Sequence, residues 1–111
     1  MQVSFDSKKL QKICNSAAKL RGEYGDKMAD KIQTRLLDLN AAVNLVVMKT
    51  LPGKCHELVA DRKGQLSVHL IEPKRLIFRP DHDPVPRSES GDLVWELVTH
   101  VAIIEIVDYH N

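Results

Sequence analysis

The hydrophobic pattern of this chain changes its period once. Before Leu51-Pro52-Gly53 the apolar residues recur every three or four positions, and after it they alternate every second position. Three-and-four spacing buries one stripe of a helix, whereas a spacing of two buries one face of a strand. The two halves therefore cannot share a secondary structure. An α+β chain is expected, helices first and a sheet after.

In the first half, residues 6–20 place Leu10, Ile13, Cys14, Ala17 and Ala18 at helical spacing, with Asp6 or Ser7 available to cap the start. Lys8, Lys9, Lys12 and Lys19 fall elsewhere on the wheel. Gly22 and Gly25 interrupt this pattern, and Asp26 can cap a second helix that runs to about residue 42. Its stripe is Ala29, Ile32, Leu36, Leu39 and Val43. The short connection favours an antiparallel helix pair.

In the second half, residues 55–60 read as a strand and Asp61-Arg62-Lys63-Gly64 as a turn. Residues 65–70 alternate, with Leu66, Val68 and Leu70 on one face and Ser67 and His69 on the other. Pro73 breaks the run. Residues 75–79 alternate again, with Leu76 and Phe78 opposed to Arg75, Ile77 and Arg79. Strands joined this closely form an antiparallel meander. Residues 80–92 are polar and proline-rich, the composition of an exposed loop. A short helical turn at 95–100 and a β-branched last strand at 101–107 complete the reading. The expected architecture is one domain, residues 1–111, with two antiparallel helices on a four-stranded, mainly antiparallel sheet.

Composition narrows the function classes. Aromatic residues make up 5% of the chain, so the core must be aliphatic. The net charge of +1 is unevenly spread: residues 1–54 carry a net +5 and residues 55–111 a net −4, the acids gathering in 81–96. Such a surface allows a polyanionic partner. Cys14 and Cys55 are too few for a disulfide framework and lack the spaced ligand set of a zinc site. The start shows no basic region followed by an apolar stretch, and no apolar run is long enough to span a membrane. A cytoplasmic protein is expected.

Several motifs exclude chemistry. His56-Glu57-Leu58-Val59-Ala60 begins like a metalloprotease helix, but Ala60 stands where the second zinc ligand belongs. There is no glycine-rich phosphate loop and no nucleophile elbow, and no metal or cofactor is implied. What remains lies near the strand ends: His56, Arg62, Arg75, Tyr109 and His110. RNA cleavage by its own 2′-hydroxyl uses such groups. A base removes the hydroxyl proton, cations stabilise charge on the phosphate, and an acid protonates the leaving 5′-oxygen. Histidine serves either proton role near neutral pH, and arginine fits phosphate oxygens bidentately.

Leu51-Pro-Gly-Lys-Cys-His56-Glu-Leu-Val-Ala-Asp-Arg62-Lys-Gly-Gln-Leu-Ser67, then Arg75-Leu-Ile-Phe78, then Glu105-Ile-Val-Asp108-Tyr109-His110, resembles the RelE/ParE toxin superfamily. Its HigB-like branch, the plasmid-maintenance killer proteins, is the most similar. The resemblance implies a toxin of a type II toxin–antitoxin system, one that enters the ribosome and cleaves the mRNA under translation. It implies catalytic roles for His56, Arg75, Asp108, Tyr109 and His110, and RNA or ribosome contacts for Arg62, Lys63 and Lys54. It implies an antitoxin partner with a helix-turn-helix domain, and no membrane. Val59 stands where that branch often has lysine, so Lys63 and Lys54 are the cations left to replace it. Two other readings stay open: a ParE-like gyrase inhibitor, and an inactive antitoxin-bound relative. ParE-like chains typically lack the histidine and tyrosine set, which favours the nuclease.

Overall fold

The computed structural model describes residues 1–108. Its helical half is cut into three pieces rather than two: α1 (Lys8–Cys14), α2 (Ala17–Tyr24) and α3 (Asp26–Ala41). Serines make the first two starts. Ser7 accepts from the Leu10 amide at 3.1 Å and Ser16 from the Lys19 amide at 3.2 Å. Each supplies an acceptor for an N–H that has no partner within its helix. The run at 6–20 breaks at Asn15-Ser16 because a second good cap inside the stripe starts a new helix. Asp6, the other candidate cap, binds the Arg79 guanidinium through both carboxylate oxygens at 3.0 Å. Replacing Ser16 by alanine is expected to lower the unfolding free energy by about 1 kcal/mol. The measurement is the urea midpoint at unchanged slope; an unmoved midpoint would show that the cap contributes nothing.

α3 begins after Gly25, whose φ of +81° suits a residue without a Cβ. Asp26 lies in its first turn, where a negative charge meets the positive end of the helix dipole. Ala29, Ile32 and Leu39 are buried as the stripe predicts. Val43 is not: α3 ends at Ala41, and Val43, beyond it, is 74% exposed.

The sheet contains β1 (Gln2–Phe5), β2 (His56–Glu57), β3 (Leu66–His69), β4 (Lys74–Pro80) and β5 (His100–Asp108), in the order β1-β5-β4-β3-β2. The expected four-stranded, mainly antiparallel sheet is present as β2 to β5, and residues ahead of the first helix add a fifth strand. β1 joins β5 in parallel, from Gln2 opposite His100 to Phe5 opposite Ile103. The first meander strand is shorter than expected: only His56 and Glu57 pair with β3. The chain then passes through a 3-10 turn, Ala60–Arg62, and turns at Gly64 with φ +92°. Another 3-10 turn, Trp95–Leu97, stands where a short helical turn is expected.

One face of the sheet carries Leu66, Val68, Leu76, Phe78, Val101 and Ile103, packed with Leu20, Ile32, Leu39, Leu45 and Met48. This is the aliphatic core that the composition requires. Cys14 and Cys55 are partly buried at its margin, and burial pushes their thiols up to about 11 and about 12. Both stay protonated near neutral pH, which makes them poor nucleophiles and poor metal ligands. The proline-rich excursion after β4 is exposed and closes on itself, the Ser88 amide donating to the Asp92 carbonyl at 2.8 Å. No described helix is long and apolar enough to cross a membrane.

Candidate active site

The other face of the sheet carries a row of polar groups, and the strand register fixes its members. His56 stands opposite Ser67, Ser67 opposite Ile77, and Ile77 opposite Glu105. Two positions along, His69 stands opposite Arg75, and Arg75 opposite Val107. Residues paired directly across strands project to the same side, as do residues two apart within one strand. His56, His69, Arg75 and Glu105 therefore share this face.

His56 begins β2, and its Nδ1 lies 2.7 Å from the Lys54 carbonyl oxygen. A carbonyl only accepts, so Nδ1 carries a proton and Nε2 is left to exchange one with a substrate. Lys54 is exposed, in the left-handed region at φ +49°. The His69 ring meets the His56 ring edge-on, with centroids 6.1 Å apart. His69 Nδ1 donates to Glu72 Oε1 at 3.0 Å, and Arg75 Nη1 donates to Glu72 Oε2 at 2.9 Å. One carboxylate thus bridges an imidazole and a guanidinium. Among the described residues Arg75 makes one further bond, from Nη1 to the Lys74 carbonyl, so its Nε and Nη2 are unused.

The charges act on one another. Burial first, then the Arg75 charge, lowers the His69 pKa below its ordinary value, against the opposing pull of Glu72. The hydrogen bond from Arg75 in turn holds the Glu72 carboxyl below the usual carboxylate range. His69 is therefore largely unprotonated at neutral pH, while Glu72 is ionised.

The backbone of His69 is held on both sides. Its N–H donates to the Gly53 carbonyl at 2.7 Å, and its carbonyl accepts from Arg35 Nε at 2.8 Å. Arg35 belongs to α3 and is only 6% exposed. Gly53 has φ +115°, and a Cβ there would come within 2.9 Å of Arg35 Nε. Glycine is required at this point both for the backbone conformation and for the close approach of the guanidinium.

The remaining candidates fall in different places. Arg62 reaches across the face to β5: Nη2 donates to Glu105 Oε2 and Nη1 to Gln65 Oε1, each at 2.9 Å. Ser67 and Ile77, in the row that ends at Glu105, are fully buried, and the Ser67 hydroxyl has no hydrogen-bond partner among the described residues. Lys63 is exposed on a cleft shared with Val59 and Arg87. Asp108 is opposite Lys74 and pairs with its ammonium at 2.7 Å, in the strand position next to the Arg75–Val107 pair and so on the other face. Tyr109 and His110 lie outside the described residues.

The structure thus brings together His56, Arg75 and Lys54, and adds His69 and Glu72, which the sequence reading did not assign to the site. A signal for His69 was present: the alternation of β3 sets it against Leu66, Val68 and Leu70, on the side of Ser67. Glu72 carried a weaker one, three residues before Arg75 in a turn.

No family model and no curated protein matches the sequence. Solved structures do match the fold. The YoeB/ParE toxin from Agrobacterium tumefaciens superposes with a TM-score of 0.59 at 14% identity, covering 99% of this chain and 100% of that one. The YoeB-YefM complex from Staphylococcus aureus gives 0.57 at 16% identity, covering 100% of this chain and 98% of that one. The YoeB dimer from the same organism gives 0.58 at 18% identity, with the same coverage. At such identities the likeness establishes the fold, which is that of these toxins, and leaves the chemistry to be argued from this chain's own residues.

Proposed function

We propose that this protein is the toxin of a type II toxin–antitoxin pair and that it cuts messenger RNA on the ribosome. The observation that carries the reading is the register of the sheet, which sets an imidazole (His56) and a half-buried guanidinium (Arg75) on one face, away from the helix-side core. Proton transfer and a fixed cation are what cleavage by the 2′-hydroxyl requires.

In the proposed reaction a base takes the 2′-hydroxyl proton and the oxygen attacks phosphorus. The bond from phosphorus to the 5′-oxygen breaks, and an acid returns a proton to that oxygen. The products are a 2′,3′-cyclic phosphate and a free 5′-hydroxyl, so protons balance. His56 exchanges a proton through Nε2, and Arg75 turns its unused donors on the phosphate. Lys54 and Lys63 contact the RNA backbone, while Arg62 acts through the strut it makes to Glu105. Tyr109 orients or stacks on a base, and His110 is the second proton-transfer group that the HigB-like terminal motif supplies. Asp108 fixes the end of β5 through Lys74.

The partner is an antitoxin, a reading that one structural neighbour, a YoeB-YefM complex, supports by analogy. The test is to add the purified protein to a translation reaction and map message ends. New 5′-hydroxyl ends inside the open reading frame, dependent on ribosomes, are the expected result. Inhibition of DNA gyrase supercoiling with intact message would instead favour the ParE-like reading. Neither effect, together with unaffected growth on expression without a partner, would favour an inactive relative.

A further inference from the structure

His69 has no role in the resemblance to known toxins, yet its surroundings are those of a working imidazole. Its ring centroid lies 6.1 Å from that of His56. A proton-transfer nitrogen must come within about 3 Å of its oxygen. Two rings at this separation can therefore reach the two oxygens of one phosphodiester from either side. Glu72 takes the Nδ1 proton of His69 as a hydrogen bond, which fixes the tautomer and leaves Nε2 as the exchanging nitrogen. The same carboxylate holds Arg75, so the proton acceptor and the phosphate cation are set by one group.

We propose that His69 is a catalytic residue of this site, its Nε2 taking the 2′-hydroxyl proton, with Glu72 as its positioning residue and His56 returning a proton to the leaving 5′-oxygen. The inference rests on the RNA-cleavage reading and replaces His110 with His69 as the second proton-transfer group. The charged and titratable groups that face His69 are Glu72 and Arg75, Lys54, and the ring of His56. Burial, Arg75 and Lys54 disfavour the imidazolium, and Glu72 alone favours it. A resting base must be unprotonated, and its charge must be balanced once it holds the proton. Burial with neighbouring cations meets the first need and Glu72 the second.

The test is single-turnover cleavage by the full chain on ribosomes carrying a defined message, followed against pH. His69→Asn is expected to lower the rate about a hundred- to ten-thousand-fold and to remove the acidic limb of the profile. Glu72→Gln removes the one neighbour that favours the imidazolium, so it should move the acidic midpoint to lower pH. His110→Ala should leave that midpoint in place. A His69→Asn rate within a few-fold of wild type, or an acidic limb that disappears in His110→Ala and not in His69→Asn, overturns the assignment. An NMR titration of His69 in wild type and Glu72→Gln reads the pairing without RNA: an unchanged midpoint overturns it whatever the cleavage result. A wild-type protein that cuts no ribosome-bound message ends the RNA reading, and this inference with it, while the titration still reports on the His69–Glu72 pair.

Discussion

Changing His56 to alanine is expected to slow cleavage of ribosome-bound message by about a hundred- to ten-thousand-fold while leaving the protein folded. The loss follows from chemistry rather than stability. His56 Nδ1 bonds the carbonyl of Lys54, an exposed residue, so water can take its place when the ring is gone. β2 contributes only two paired residues, and the buried core lies on the opposite face. His56→Gln separates the two roles, since an amide N–H can donate to the Lys54 carbonyl but cannot exchange a proton near neutral pH. It should be as slow as alanine. Arg75→Lys makes the companion test: it keeps the charge and loses the planar fork, so it should retain part of the phosphate contact. If His56→Ala and His56→Gln both cut at the wild-type rate, His56 transfers no proton and the proposed site is misplaced.

How much of this was legible in the sequence depends on the range of the interaction concerned. The helical half and the meander were visible because their signals are local: a stripe of three-and-four spacing, then alternation between turn residues. The strand β1 was not. It has four residues, and its pairing begins with Gln2 opposite His100, a parallel ladder with no tight turn to announce it. In retrospect Val3 and Phe5 alternate with Gln2 and Ser4, but a run this short does not distinguish a strand from a disordered start. The break between α1 and α2 was legible in principle, since Ser16 is as good a cap as Ser7, and the continuous stripe masked it.

The site follows the same rule. Alternation alone placed His69 with Ser67 and Arg75 with Arg79, on the faces away from the leucines. It could not say that His56 lies beside His69, because that depends on the register His56 opposite Ser67, and a slip of one residue would send His56 to the core side. The Arg62 contact joins residues 43 apart in sequence and was equally out of reach. Arg62 read as a free cation for RNA, whereas its guanidinium is committed to Glu105 and Gln65. Arg35 is the instructive omission. It stands three residues after Ile32 and four before Leu39, so it falls inside the apolar stripe of α3. A charged side chain at such a position must find a buried partner, and that conflict was on view without any structure.

The partner Arg35 finds is the backbone of the candidate base, and the second large effect is expected there. Arg35→Met keeps much of the aliphatic stem and removes the donors. The His69 carbonyl then loses its 2.8 Å hydrogen bond, which is partly buried and made by a guanidinium whose residue is only 6% exposed. An orphaned buried acceptor costs roughly 1–3 kcal/mol. Asp38 also loses its guanidinium, but at 3.8 Å and partly exposed it adds little. Unfolding in urea should therefore move by roughly 2 kcal/mol, a shift that leaves a domain of ordinary stability folded at room temperature. Cleavage should fall by more than the unfolded fraction explains, because the His69 backbone then keeps its N–H bond to the Gly53 carbonyl but loses the anchor at its own carbonyl, and the ring can drift from His56. Gly53→Ala attacks the same joint from the other side, through its φ of +115° and the 2.9 Å approach to Arg35 Nε. The two substitutions should be less than additive, as expected when each disables one clamp. Fully additive losses, or an Arg35→Met protein with wild-type cleavage, would mean that α3 does not position the imidazole and that Arg35 serves the fold alone.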